Sequence, residues 1–243
     1  MRPLHIIMPM AGEGSRFQKE GWTSPKPLIE LHGIPIFKRA IDSVCIDGIP
    51  MKYSFIVRQE HIDMYRIDER IKSILPQANI FSVFKTTRGA VETCIVAESV
   101  IDNEDGVLVM DCDLEFRSKP FMKIVKELLS LPGNKAEGGV LVSFESNDPR
   151  YSYAALGVDG FVTRTAEKEV ISNHALCGAY FFSSGKRFKQ IAHQLLNEPE
   201  FKKPEYYVSL LYNYLLAGGE KVRLATMEAY YSYGTPEELK RYL

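Results

Sequence analysis

The stretch from Met8 to Leu28, MPMAGEGSRFQKEGWTSPKPL, gathers Gly12, Gly14, Arg16 and a proline-flanked Lys26 into one short segment. Gly12 and Gly14 let the backbone turn sharply and approach a bulky anion, and successive N–H groups in such a turn form an anion-binding concavity. Arg16 offers a bidentate fork, and Lys26 a flexible point charge whose approach Pro25 and Pro27 restrict. This set suits a grip on the phosphates of a nucleoside triphosphate; the plainer reading is a Gly-containing βα turn with two solvated cations. A second candidate is Asp111-Cys112-Asp113, directly after the apolar run Gly106-Val107-Leu108-Val109-Met110. Two carboxylates at i and i+2 on a strand end are costly to bury without a cation, and Mg²⁺ bound to triphosphate is a natural partner.

Two better-known glycine motifs fit poorly. A dinucleotide fingerprint needs Gly-x-Gly-x-x-Gly, but Phe17 takes the third place and no helical pattern follows directly. A Walker loop needs Gly-Lys-Ser/Thr where this chain has Gly14-Ser15-Arg16.

For the loop and the acidic pair to meet, both must leave the same edge of a sheet. The branched run Leu4-His5-Ile6-Ile7-Met8 predicts a buried strand, with further strands at 53–57, 80–84, 106–110, 139–145, 173–182 and 222–224. Helical periodicity predicts helices over 62–75, 90–100, 121–131, 185–196 and 205–217. Pro132-Gly133-Asn134 stops the third of these. His32-Gly33 reads as a turn, Pro35 begins a helix through Val44, and Pro236 starts a terminal helix. Alternating strands and helices imply βαβ units on a largely parallel sheet. The pattern then changes, with 153–158 and 161–164 predicting an antiparallel hairpin on Asp159-Gly160. In such sheets ligands lie beyond the carboxyl ends of the strands, which aims the loop Lys85 to Thr93 into the same crevice.

Composition sets the outer bounds. With 243 residues, 45% hydrophobic and 25% charged, the chain suits one sizeable core, and a net charge of -1 argues against a broad grip on nucleic acid or membrane. No apolar run approaches the roughly 20 residues that span a bilayer, and the start lacks a signal peptide's pattern. Cys45, Cys94, Cys112 and Cys177 are scattered without a CxxC pair, as expected of reduced, mostly buried thiols in a cytoplasmic protein.

The two chemistry-bearing patches resemble the signature of nucleotidyltransferases that activate sugar 1-phosphates and similar phosphorylated metabolites. Ala11-Gly12-Glu13-Gly14-Ser15-Arg16 and Pro25-Lys26-Pro27-Leu28 match its paired motifs, and further patches follow in order along nearly the whole chain. The resemblance implies a single α/β domain over 1–243, with a Rossmann-like mixed sheet of the glycosyltransferase-A type and a small antiparallel subsheet on the acceptor side. Nucleotide would bind within about 1–115 and acceptor within about 116–243. Arg16, Lys26 and Asp113 would be catalytic, with Mg²⁺ on Asp113 and Asp111 helping. Ala11, Gly12, Glu13, Gly14, Ser15, Arg88, Gly89, Ala90 and Asp111 would face the nucleotide. Glu167, Lys168, Gly178 and Tyr180 would face the acceptor, although Glu167-Lys168-Glu169 taken alone is more often a solvated face. Two positions depart from the pattern: Glu13 replaces a common glycine, and Ser232 stands where a second metal-binding Asp is usual, two places before Gly234-Thr235-Pro236-Glu237.

The implied reaction is attack by an acceptor phosphate on the α-phosphorus of a nucleoside triphosphate, releasing pyrophosphate, in the making of capsule or surface-polysaccharide precursors. Cytidylyl transfer to phosphoglutamine is an alternative acceptor chemistry. A non-catalytic nucleotide- or sugar-binding regulator is the contrasting class, favoured by Ser232 and opposed by the intact Arg16, Lys26 and Asp113. The base, the acceptor and any assembly of copies stay open at this level.

Overall fold

A computed structural model describes residues 1–133 and 135–243, so Asn134 of the expected helix stop lies outside the described residues. Strand β1 (Leu4–Met10) runs into the glycine loop and then the short helix α1 (Ser15–Lys19), which no periodicity announced; buried Phe17 anchors it. Positive φ at His32 and Gly33 turns β2 (Glu30–Leu31) into β3 (Ile34–Pro35), and α2 (Ile36–Asp42) follows. After β4 (Met51–Arg58), the single helix expected over 62–75 is two, α3 (Gln59–Tyr65) and α4 (Ile67–Ile74). They break at Arg66, whose φ is 53°. Next come β5 (Asn79–Val83), α5 (Ala90–Ile95), β6 (Gly106–Met110), β7 (Leu114–Arg117) and α6 (Lys119–Ser130), the last capped by the Ser118 hydroxyl accepting from the Phe121 N–H. The second half of the chain holds β8 (Gly139–Glu145), β9 (Ser152–Leu156), β10 (Val162–Glu167), β11 (His174–Phe182), α7 (Gly185–Leu196), α8 (Leu211–Ala217), β12 (Val222–Thr226), β13 (Ala229–Ser232) and α9 (Pro236–Lys240).

The main sheet is mixed. β5, β4, β1 and β6 are parallel neighbours in that order, and β11 then pairs antiparallel with β6. β8 lies antiparallel to β11 and parallel to β12, while the antiparallel β9–β10 hairpin joins the beginning of β11. Every residue of β6 is buried, the pattern of a strand covered on both faces. One apolar cluster, with Phe37, Phe55 and Phe121, packs one face; another, with Phe182, Phe188 and Tyr212, packs the other.

Two corrections concern long-range pairing. Strand 222–224 is not the last, because β13 pairs antiparallel with β7 and closes the chain's end over the acidic strand tip. The helix expected over 205–217 forms only in its second part. Its first residues are drawn out to give the Tyr206 N–H to the Arg88 carbonyl at 3.0 Å and to accept from the Val91 N–H at 3.0 Å. Among the described residues no helix is long and apolar enough to cross a membrane.

Candidate active site

Because β1 and β6 are adjacent and parallel, with Leu4 level with Gly106 and Ile7 with Val109, the glycine loop and Asp111-Cys112-Asp113 leave the same edge side by side. A turn anchored by buried Pro27 and Leu28 brings Lys26 back over them, and its Nζ donates to Asp113 Oδ2 at 2.7 Å. A Cβ on Gly14 would sit 3.9 Å from that of Lys26, so glycine loop, lysine and acid share one corner. Burial alone would lower the Lys26 pKa; the adjacent acids, Asp113 foremost, more than offset it and hold the amine above its ordinary value. Arg16 is exposed and, with Gly14, Ser15, Lys26 and Gly234, lines a shallow cavity of about 170 Å³.

The acidic pair opens onto a second cavity of about 290 Å³. Asp111 and Asp113 line one side; Glu167, Tyr180, Tyr207 and Arg150 line others. Gly178 has φ 91°, and its carbonyl accepts from the Asp111 N–H at 3.0 Å. A Cβ there would meet the Asp111 carboxylate at 2.5 Å, so only glycine allows Asp111 its present place. Enclosure, and then the charge of Asp113, push the Asp111 carboxyl pKa upward. Burial pushes the Cys112 and Cys177 thiols up to about 12, which leaves both protonated and poor nucleophiles.

Glu167 is buried, accepting from the hydroxyls of Ser152 and Ser209, the latter at 2.9 Å. Lys168 stands at φ 55° and donates to the Tyr207 hydroxyl at 2.9 Å; it does not line the cavity. In the loop Lys85 to Thr93, the backbone of Gly89 lies against Tyr206, where a Cβ would meet the Tyr206 nitrogen at 2.4 Å. Ala90 begins α5 and lines the larger cavity. Arg88 is paired with Glu92 at 2.8 Å and lies 4.9 Å above the Tyr206 ring. Glu13 Oε1 accepts from the Thr86 hydroxyl at 3.1 Å, bridging the two loops, and the Ala11 carbonyl lies 3.5 Å from Arg58 Nη1. Gly12 is exposed with open space around it.

Several polar contacts around the site join segments distant in sequence. Glu115 binds Arg39 at 3.0 Å and the Tyr233 hydroxyl at 2.9 Å. Asn213 bonds both backbone groups of Thr165. Glu238 in α9 accepts from Ser232 Oγ at 2.8 Å and from Arg150 Nη1 at 2.9 Å. It lies beside Asp113: a Cβ on Gly234 would be 3.3 Å from the Asp113 carboxylate and 3.4 Å from that of Glu238. The only hint of this was the Pro236-Glu237-Glu238 helix start. A wider groove of about 620 Å³, lined by Ile34, Arg39, Glu115, Phe116 and Met122, shares none of the carboxylate cavity's acids.

The donor set fits Mg²⁺. Among the described residues no three His, Cys, Asp or Glu side chains gather around one point. Mg²⁺, however, is commonly held by one or two carboxylates with substrate phosphates and water completing its shell, and Asp111 and Asp113 supply hard oxygen donors at a strand tip.

Known proteins share this fold. A nucleoside-diphosphate-sugar pyrophosphorylase from Vibrio cholerae RC9 is similar at 26% identity and TM-score 0.82, over 98% of this chain and 99% of that one. An inositol-1-phosphate CTP transferase from T. maritima shares the fold at 15% identity and TM-score 0.74, over 100% and 94%. A Bacillus anthracis protein described as a glucose-1-phosphate thymidylyltransferase shares it at 20% identity and TM-score 0.75, over 98% and 93%. The pattern of the nucleotidyl transferase family matches residues 5–229, and the chain belongs to that family of enzymes.

Proposed function

We propose that the chain transfers a nucleoside monophosphate from a nucleoside triphosphate to a phosphorylated small molecule, such as a sugar 1-phosphate, for capsule or other surface-polysaccharide precursors. An oxygen of the acceptor phosphate bonds to the α-phosphorus, the α–β bridging bond breaks, and pyrophosphate leaves. The observation that carries this reading is the Lys26–Asp113 contact beside the glycine loop, at the mouth of an acid-lined cavity.

In this reading residues up to about 115 hold the triphosphate and the remainder the acceptor. Amides of Gly12 to Ser15 cradle the phosphates, exposed Arg16 reaches the β- and γ-phosphates, and Lys26 stabilises charge growing on the α-phosphate. The Gly89 and Ala90 backbone borders the base. Asp113, with Asp111 helping, would hold Mg²⁺, which when bound neutralises charge on the attacked phosphate and the leaving group. Glu167 accepts from acceptor hydroxyl or amino groups, and its hydroxyl partners fix its orientation. Such a transfer needs positioning and charge stabilisation more than a covalent nucleophile, consistent with thiols held protonated around the site.

One observation favours an amine-bearing acceptor such as phosphoglutamine: the carboxylates of buried Glu167 and of exposed Asp111 line the same cavity, a pairing suited to an ammonium group. Pyrophosphate release from four triphosphates against glucose 1-phosphate, phosphocholine and phosphoglutamine tests the reading. Release with one acceptor identifies the branch. Triphosphate binding without release from a broad panel would replace the enzyme with a regulator.

A further inference from the structure

The carboxylate cavity is lined by Asp111, Asp113 and Glu167, so a phosphorylated acceptor entering it meets three acids. Among the described residues that line it, Arg150 alone carries positive charge. Its guanidinium is held from three sides: Nε 3.1 Å from Asp148, Nη1 2.9 Å from Glu238, and Nη2 on the Tyr151 hydroxyl. The Tyr151 ring supports it at 4.6 Å. Two of five N–H donors are thereby used, with Nε in an ion pair, and one remains on each terminal nitrogen, the arrangement that takes a phosphate in a bidentate fork. The position suits the reaction, because Glu238 links Arg150 to the corner of Asp113 and Ser232, next to the α-phosphate site. Lys168, by contrast, is turned onto Tyr207 outside the cavity lining.

We propose that Arg150 binds the acceptor's phosphate, held for that contact by Glu238 and Tyr151, and that the acceptor's hydroxyl or amino groups point the other way, toward Glu167. The assignment rests on the nucleotidyl-transfer reading above. It makes the acceptor a compact molecule with phosphate at one end and hydrogen-bond donors at the other.

The test uses the full chain with glucose 1-phosphate, phosphocholine and phosphoglutamine as probes and the triphosphate it turns over. Arg150→Ala should raise the acceptor KM at least tenfold and leave the triphosphate KM within twofold. Arg150→Lys, which keeps the charge but loses the fork, should give an intermediate rise. Glu238→Gln should raise the acceptor KM severalfold, and Lys168→Ala should change it less than Arg150→Ala. Should Arg150→Ala fail to fold, Arg150→Lys carries the decision. An acceptor KM within twofold of the unaltered enzyme in the folded variant overturns the assignment alone. No pyrophosphate from the unaltered enzyme with any probe, while triphosphate still binds, overturns the transfer reading and the assignment with it.

Discussion

Replacing Lys26 by alanine separates catalysis from architecture. Its amine lies 2.7 Å from the Asp113 carboxylate, with 27% and 18% of the two side chains exposed. At an effective dielectric near 20, charges at that distance attract by about 6 kcal/mol before dehydration is counted. Breaking a fully buried pair costs about 3–5 kcal/mol, and a partly wetted one should cost about 2 kcal/mol of stability. The rate should suffer more, because an aimed donor to developing charge is worth roughly 10²–10³ in kcat. Lys26→Ala is therefore expected to melt a few degrees lower, bind triphosphate within a few-fold of normal, and release pyrophosphate 10²–10³ times more slowly, by that same order-of-magnitude estimate. Lys26→Met controls for lost packing, and a cycle with Asp113→Asn shows whether the lysine acts only through the acid. A folded Lys26→Ala enzyme with kcat close to that of the unaltered protein would remove Lys26 from the mechanism.

Other consequences are as direct. Gly178→Ala should abolish turnover while leaving most of the fold, since its Cβ would strike the Asp111 carboxylate at 2.5 Å in a backbone held at φ 91°; turnover near normal would show that Asp111 needs no fixed position. Glu167→Gln should raise the acceptor KM and spare the triphosphate KM in steady-state kinetics, and the opposite split would move Glu167 to the nucleotide side. Buried His5, 2.8 Å from Ser54 and close to Lys52, has its pKa pulled down to about 4, chiefly by burial and then by that lysine. The unfolded chain therefore takes up a proton near pH 6.5 that the fold refuses until about pH 4, and stability falls as pH drops through that window. The loss attributable to His5 should be about 2 kcal/mol between pH 7 and pH 5, and urea unfolding of His5→Gln should lack it.

Much of the first half of the chain was legible because its signals are local. The branched strand before Gly12 and the apolar run ending at Asp111 each announce themselves within a few residues, and parallel pairing then makes their meeting unavoidable. The second half was harder, since its decisive contacts join distant segments. β7 is four residues long and pairs with β13 more than a hundred residues later, so neither has enough periodicity to declare itself. Arg150 and Glu238 look like ordinary surface charges until that closure sets them side by side. Tyr206 sits in a helix-like pattern, yet its backbone is claimed by the loop at Gly89, where only a glycine leaves room. Arg66 broke a predicted helix without a glycine or proline to mark the place.

The most direct test of the account is a crystal structure of the protein with Mg²⁺ and a triphosphate whose α–β bridge is a methylene group. The triphosphate should lie over Gly12 to Ser15 with Lys26 at the α-phosphate and the metal on Asp113. A triphosphate seated away from that loop, or a metal with no bond to Asp113, would contradict it.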